Sequence, residues 1–198
     1  MKNYFDLSGR VAVVTGCSTG LGVQMAKALA NQGCSIVAVA RRQNLIDEVA
    51  AQIKEEYGVE TLAVRCDITD TDMVNAMVDT VMEKFGRIDV LINNAGTGAV
   101  APAEDITDDQ FANEMNIDLF GSFKVARAVA KKAMISAKYG RIINIASMYG
   151  LVGNKIAGSA PYHAAKGGVV NLTRALAAEW GKYGITVNAI CQVTSIRR

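Results

Sequence analysis

Short apolar runs recur along the chain at residues 10–15, 35–40, 61–65, 88–92, 141–145 and 186–190. Each is nearly continuous Val, Ile, Leu and Ala rather than alternating with polar residues. That pattern predicts strands covered on both faces, as in a parallel sheet. Between them the apolar positions repeat at helical spacing. Leu21, Met25, Ala28 and Leu29 share one face, and Gly33 stands where a helix-ending glycine belongs. Leu45, Ile46, Val49 and Ile53 predict a second helix closed by Gly58, and Met73, Val74, Met77, Val78, Val81, Met82 and Phe85 a third, entered through Thr69-Asp70. Thr107 with Gln110 three residues on reads as a capping box opening a long fourth helix towards Ala137. A fifth helix is expected from about Tyr162 to Tyr183. Strand and helix alternate throughout, which predicts an α/β fold: a doubly wound, Rossmann-type parallel sheet with helices on both faces.

Length and composition narrow the class. The 198 residues suit one domain spanning 1–198, and 51% hydrophobic with 20% charged residues is ordinary globular usage. A net charge of +2, with both signs dispersed, marks no nucleic-acid surface. No apolar run approaches the ~20 residues of a membrane span, and residues 1–6 are not followed by the apolar core of a signal peptide. Cys17, Cys34, Cys66 and Cys191 are too far apart in sequence to form a metal-type pair, so no metal is expected and a reducing, cytoplasmic setting fits.

The candidate chemistry falls at the ends of strands. The first strand runs through Thr15-Gly16-Cys17-Ser18-Thr19-Gly20-Leu21-Gly22 straight into a helix. Glycines let such a turn approach a pyrophosphate, whose charge meets the free N–H groups of the helix terminus. The spacing is G-x-x-x-G-x-G rather than G-x-G-x-x-G, and a tight structural corner would use similar residues. One strand later Ala40 occupies the place where an acidic residue would hold a ribose 2′-hydroxyl, and Arg41 and Arg42 follow. Guanidinium groups suit a 2′-phosphate, so NADP(H) is expected ahead of NAD(H). Asp67, beside Ile68 at the third strand end, either accepts from an adenine amino group or caps the next helix. Asn93, Asn94, Ala95 and Gly96 form a small polar turn at the fourth.

Tyr162 and Lys166 lie one helical turn apart. A tyrosine hydroxyl titrates near ~10, and a neighbouring ammonium is expected to favour the phenolate and lower that value. Ser147, ending the fifth strand, could donate to a carbonyl oxygen. Together they outline a hydride-transfer site: Ser147 polarises the oxygen, Tyr162 passes the proton, and Lys166 tunes Tyr162 and holds the nicotinamide ribose. A Tyr/Lys pair by itself is ordinary helix surface.

On these ordered motifs, with Val187-Asn188-Ala189-Ile190, the chain from Leu7 to about Cys191 resembles the short-chain dehydrogenase/reductase family. It is most similar to gluconate 5-dehydrogenase-type and 3-oxoacyl-carrier-protein-reductase-type members. The resemblance implies reversible NAD(P)(H)-linked interconversion of a secondary alcohol and a ketone, gluconate and 5-ketogluconate being one such couple and reduction of a 3-oxoacyl carrier protein another. It also implies a small-molecule carbonyl or alcohol substrate and a homo-oligomer built through the fourth and fifth helices. Three departures stand out. The family's relay asparagine, three residues before Gly121, is replaced by Asp118, with Asn116 the fallback only if the helix is shifted. Residues 148–161, which border the substrate pocket in relatives, are two residues longer than the common spacing, and His163 is expected to face away.

The third departure is the tail, 192–198. The resemblance implies Pro-Gly, a cofactor-contacting threonine, a lid and a seventh strand there, and all are missing. Gln-Val-Thr-Ser-Ile-Arg-Arg can be encoded so that restoring one base reads Pro-Gly-Tyr-Phe-His-Thr-Ala. The expectation is a single-base deletion in an otherwise ordinary enzyme, the alternatives being a cloning artefact or a natural short form. An exposed sixth strand, loss of the lid and a helix-mediated dimer rather than a tetramer would follow. The alternative to an active oxidoreductase is a catalytically weak dinucleotide-binding module.

Overall fold

The structure is a computed structural model that describes residues 4–98, 100–155 and 158–193. Six strands form one sheet: β1 (Val11–Thr15), β2 (Ser35–Ala40), β3 (Thr61–Arg65), β4 (Val90–Asn93), β5 (Gly140–Ile145) and β6 (Ile185–Ile190). Their order is β3-β2-β1-β4-β5-β6, and every neighbouring pair is parallel. The doubly wound Rossmann-type fold expected from the alternation is therefore present. After β3 the chain crosses the whole of one half-sheet to place β4 beside β1. The carboxyl ends of β1 and β4 thus flank a crevice at the switch in winding direction.

The strand side chains divide by parity. Val11 and Val13 of β1, with Val37 and Val39 of β2, join the core on one face; Ala12 and Val14, with Ile36 and Ala38, join the other. The first face is covered by α3 (Thr71–Phe85), whose Val74, Met77, Val78 and Val81 are buried, and by α4 (108–137) and α5 (Ala160–Trp180). The methionine stripe is therefore core. The second face is covered by α1 (Gly20–Ala30) and α2 (Gln43–Tyr57), the latter through Ile46, Val49 and Ile53. Each such fully buried aliphatic side chain contributes on the order of 1.5–3 kcal/mol.

Two expectations change. The buried face of α1 is Gly22, Ala26 and Ala30, with Val23, Met25 and Leu29 partly buried, whereas Leu21 and Ala28 are exposed. Small residues win there because the helix opens directly from the β1 turn and must lie close to the sheet. Gly33 does follow the helix end, in the left-handed region at φ 85°, with its N–H donating to Ala30 O. At β6, coverage is one-sided: Ile185 and Val187 are buried but Thr186 and Asn188 are exposed. The expectation of strands covered on both faces does not hold for it among the described residues.

The fourth helix, α4, is one continuous helical run over 108–137, opened by the expected capping box at Thr107 and Gln110. Within it, Asp108–Met115, Ser122–Val129 and Ile135–Ala137 are α-helical, and Asn116–Gly121 and Ala130–Met134 are wider π-type turns. Such insertions are frequent at functional sites. Helix α5 (Ala160–Trp180) begins with Pro161 in its first turn and continues as a single 3₁₀ turn, Gly181–Tyr183. Of the tail, Gln192 and Val193 fall among the described residues; 194–198 lie outside them. No described helix is long and apolar enough to cross a membrane.

At the amino ends of the strands, opposite the crevice, Asp89 is 3% exposed. It accepts hydrogen bonds from Arg10 Nη1 (2.8 Å), Arg87 Nε (2.8 Å) and Nη2 (2.6 Å) and Val11 N (3.0 Å). Burial alone would raise the Asp89 pKa, but these donors hold it below the usual carboxylate value. A depressed folded-state pKa contributes stability above the unfolded value that is lost as pH falls through the folded one. Asp89→Asn is expected to cost on the order of 2–3 kcal/mol at neutral pH and to flatten the acid side of the stability profile. Urea unfolding of both proteins between neutral and strongly acidic pH measures this, and identical profiles would contradict it.

Candidate active site

The crevice is built first from backbone. Gly16 leaves β1 at φ 66°, and a Cβ there would lie 2.8 Å from Ala95 Cα. Only a glycine lets the β1 turn approach the end of β4 this closely. A Cβ on Gly22 would collide with the Gly16 carbonyl oxygen, so the first turn of α1 is drawn onto the same turn. Side chains lock the approach. Asn94 Nδ2 donates to Thr15 O (3.0 Å) and Gly16 O (3.2 Å), and the N–H groups of Asn94 and Ala95 donate to Thr15 Oγ1 (3.0 and 3.1 Å). Beneath, Asn93 Nδ2 reaches Asn144 Oδ1 (3.0 Å), and Asn144 Nδ2 reaches Thr173 Oγ1 (2.9 Å), tying β4 to β5 and α5.

A cavity of about 500 Å³ opens over this junction. Of the sequence-derived candidates, Gly16, Ser18, Thr19, Arg41, Arg42, Asp67, Ile68, Asn94, Ala95 and Gly96 line it. Gly20, Leu21 and Gly22 do not: Gly22 is packed against the turn and Leu21 points outward, so their part is to shape the helix start. Arg42 Nη2 donates to Ser18 Oγ at 3.0 Å, placing a guanidinium against the glycine turn. Asp67 lines the cavity and does not cap the next helix, so the capping alternative is corrected. Its Oδ1 accepts from Thr69 N (3.0 Å) and Oγ1 (2.8 Å), while the residue lines the cavity; the helix cap itself is Asp70. A side-chain-free cradle at a helix N-terminus, basic at one end and acidic at Asp67, fits a dinucleotide.

A smaller cavity, of about 190 Å³, shares Asn94, Gly96 and Thr97 with the first and adds Tyr162, Lys166 and Gln192. Ser147, buried at the end of β5, accepts from Tyr149 N (3.2 Å) and lies near enough to the Tyr162 hydroxyl to oppose the rise in its pKa. Lys166 Nζ lies 5.5 Å over the Tyr162 ring centre, donates to Ile145 O (3.0 Å) and stands 3.9 Å from Asp118 Oδ2. Asp118 Oδ1 accepts from Thr97 N at 2.8 Å. The four predicted groups are therefore assembled, and Asn116, the fallback, is exposed on the outside of the π-type turn.

The electrostatics correct one expectation. The Tyr162 hydroxyl is pushed above its ordinary pKa, by burial first, with Asp118, Glu114 and Tyr149 adding and Ser147 opposing. Lys166 does not lower it, because the ammonium is directed at Ile145 O and Asp118 rather than at the phenol oxygen. Burial likewise moves Lys166 below its ordinary value against the pull of Asp118 and Glu114, and pushes Asp118 up to about 6.

Sequence reading missed three neighbours. Glu114 sits one turn before Asp118, buried on the same face; the four-residue spacing was its signal, obscured by the expectation that a buried face is apolar. His163 does not simply face away: it stacks on Tyr149 at 4.8 Å, and Tyr149 meets Tyr162 edge-on. Gln192, read as the first residue of an atypical tail, accepts from Met148 N through its carbonyl (2.9 Å) and lines the smaller cavity.

Comparison with known proteins agrees with this geometry. The chain is 39% identical over 186 residues to D-threitol dehydrogenase of Mycolicibacterium smegmatis, covering 94% of this chain and 70% of that protein. Its fold superposes with a TM-score of 0.90 on NAD+-bound xylitol dehydrogenase, at 38% identity over 96% of this chain and 72% of the other. The score is also 0.90 for a gluconate 5-dehydrogenase from Burkholderia cenocepacia in complex with NADP and tartrate, at 35% identity over 96% and 72%. The short chain dehydrogenase family profile matches residues 10–194. The chain belongs to that family, oxidoreductases with a dinucleotide-binding fold that act on alcohol and ketone groups.

Proposed function

We propose that this protein interconverts a polyhydroxylated secondary alcohol, of the gluconate type, with its ketone, using NADP(H), and that cofactor site and chemistry share one domain. The observation that carries the reading is the meeting of Ser147, Tyr162 and Lys166 beside Gly96, where the smaller cavity joins the larger. Gly16, Ser18 and Thr19, at the start of α1, receive the pyrophosphate; Arg41 and Arg42 receive the 2′-phosphate; Asp67 and Ile68 border the adenine; Asn94, Ala95 and Gly96 line the path to the nicotinamide end. When bound, NADP(H) supplies the hydride donor or acceptor. Ser147 holds and polarises the substrate oxygen, Tyr162 exchanges its proton with that oxygen, and Lys166 carries positive charge beside Tyr162 and binds the ribose. The relatives bind NAD in one case and NADP in another, so the preference rests on Ala40, Arg41 and Arg42. A polyol or sugar-acid substrate is supported by the names of those relatives. The buried thiols Cys17, Cys34 and Cys66 are free, which suits a reducing cytoplasm. On α4, Phe111 and Phe120 are exposed, Phe120 by 57%, and support a homodimer through α4 and α5.

Fluorescence titration is expected to give tighter binding of NADPH than of NADH. Arg41→Ala with Arg42→Ala should weaken NADPH by about 10- to 100-fold, each charge-assisted bond being worth ~1.5–3 kcal/mol, and leave NADH nearly unchanged. Equal losses for both cofactors would remove the NADP preference. Tyr162→Phe should lower turnover by at least ~10²-fold while retaining cofactor affinity. A panel containing gluconate, threitol, xylitol and a 3-oxoacyl thioester identifies the substrate class; cofactor binding without turnover on any of them would favour a binding module. Sedimentation should show a dimer that Phe120→Arg dissociates, and a monomer at micromolar concentration would refute the interface.

A further inference from the structure

A cavity of about 530 Å³, as large as the one over the glycine turn, opens at the amino ends of the strands and has no part in the proposed reaction. It lies between the ends of α3 and α4 and runs inward to Ile88 and Ala133, core residues only 2% and 5% exposed. Met82, Ala137 and Tyr139 complete its apolar wall, and Arg10, Arg87 and Asp89 are its charged wall. Arg10 and Arg87 converge on one oxygen, Asp89 Oδ1, at 2.8 and 2.6 Å. Arg10 and Arg141 also lie over the Tyr139 ring, so three guanidinium groups are gathered around one carboxylate. The ends of α3 and α4 add partial negative charges of about half a unit each, which still leaves roughly one positive charge in excess. Asp89 accepts from both arginines and from Val11 N, and its oxygens are satisfied. The arginines are not. Arg87 spends Nε and Nη2 on Asp89 and Arg10 only Nη1, so among the described residues Arg87 Nη1 and Arg10 Nε and Nη2 are left to solvent or to a ligand.

We propose that this cavity is a second small-molecule site, which takes an amphipathic monocarboxylate: the carboxylate between Arg10 and Arg87, the hydrocarbon body along Met82, Ile88 and Ala133. Guanidinium forks match a carboxylate in shape and charge. An excess of about one positive charge suits a monoanion. An inorganic anion would leave the inner, apolar half of the cavity unfilled, and a neutral hydrocarbon would leave the arginine donors unused. The volume falls within the range of small-molecule sites. Arg10 immediately precedes β1 and Asp89 immediately precedes β4, the two strands whose opposite ends flank the reaction crevice. This cavity shares no lining residue with the two at the carboxyl ends, so its ligand and a dinucleotide bind without overlap. A ligand there stabilises the folded chain by mass action. The site goes beyond the oxidoreductase reading and does not depend on it.

Titration calorimetry on the full chain, with octanoate as the probe, tests the site. Wild type should bind one octanoate per chain with a Kd below about 1 mM, equally well with and without saturating NADPH, and its Tm should rise. Octanol and inorganic phosphate should each bind at least ~10-fold more weakly. Arg87→Gln removes one cation while Asp89 keeps its bonds from Arg10 and Val11. Ala137→Glu sets a carboxylate on the exposed last turn of α4, at the cavity wall, without touching Asp89. Each variant should weaken octanoate by about 10-fold, and if Arg87→Gln fails to fold, Ala137→Glu still decides. No saturable binding by wild type up to ~10 mM overturns the site. An unchanged affinity in a folded variant, or displacement of octanoate by NADPH, overturns its location. Octanol binding as tightly as octanoate, or phosphate more tightly, overturns the ligand class.

Discussion

The close approach of the β1 turn to the end of β4 governs the rest of the molecule. Two parallel strands separated by two others in sequence must be brought side by side, and the turn leaving the first must then clear the turn leaving the second. Gly16, with no Cβ and a positive φ, makes the clearance possible, and Thr15 and Asn94 convert it into a fixed distance through five hydrogen bonds, counting Thr15 Oγ1 to Ile92 O at 3.4 Å. The start of α1, the floor of the large cavity and the position of Gly96 all follow from that distance. A side chain at any of these glycines would push the turns apart before it disturbed a hydrophobic contact.

From Gly96 the constraint passes to the charged groups. Because nothing larger than glycine fits there, Asp118 and Lys166 come up to the wall of the reaction cavity from two different helices. The π-type turn Asn116–Gly121 brings Asp118 inward at the point where α4 crosses α5, and Ser122 Oγ holds the turn by donating to Asp118 O at 3.0 Å. The result is a lysine and two carboxyls removed from water beside a half-buried tyrosine. Their burial disfavours every charged form, so their protonation states are set by one another rather than by solvent.

The two ends of the sheet divide the labour. At the amino ends, Asp89 is saturated by donors and serves stability; Arg10 and Arg141 also pack over Tyr139, at 4.4 and 4.3 Å from its ring centre. At the carboxyl ends, acceptors and donors are left facing a cavity. Asp118 Oδ2 is a buried oxygen with no hydrogen-bond donor among the described residues, having only Lys166 at 3.9 Å. Such under-satisfaction would be a defect at the other end of the sheet; here it lies directly behind Gly96, which lines both cavities.

The sequence by itself determined the strand and helix order, the cap at Thr107, the glycine turn and the one-turn spacing of Tyr162 and Lys166, because these depend on local periodicity and on spacing within one element; Asp118 stood out only through resemblance to the family. Only the tertiary structure decided what depends on two elements meeting. The exposed sides of α1 and β6 are set by what packs on them, not by their own patterns. Tyr162 and Lys166 are one turn apart in either description, yet the ammonium turns to Ile145 O and Asp118, so burial raises the tyrosine that spacing alone would have lowered. Asp67 could be read as a cap or a cavity residue; it lines the cavity, and the cap is Asp70. Glu114 was legible only as a charge on a helix until α5 closed over it. Spacing records which residues can meet; the dielectric and the partner that fix their protonation exist only once the chain is folded.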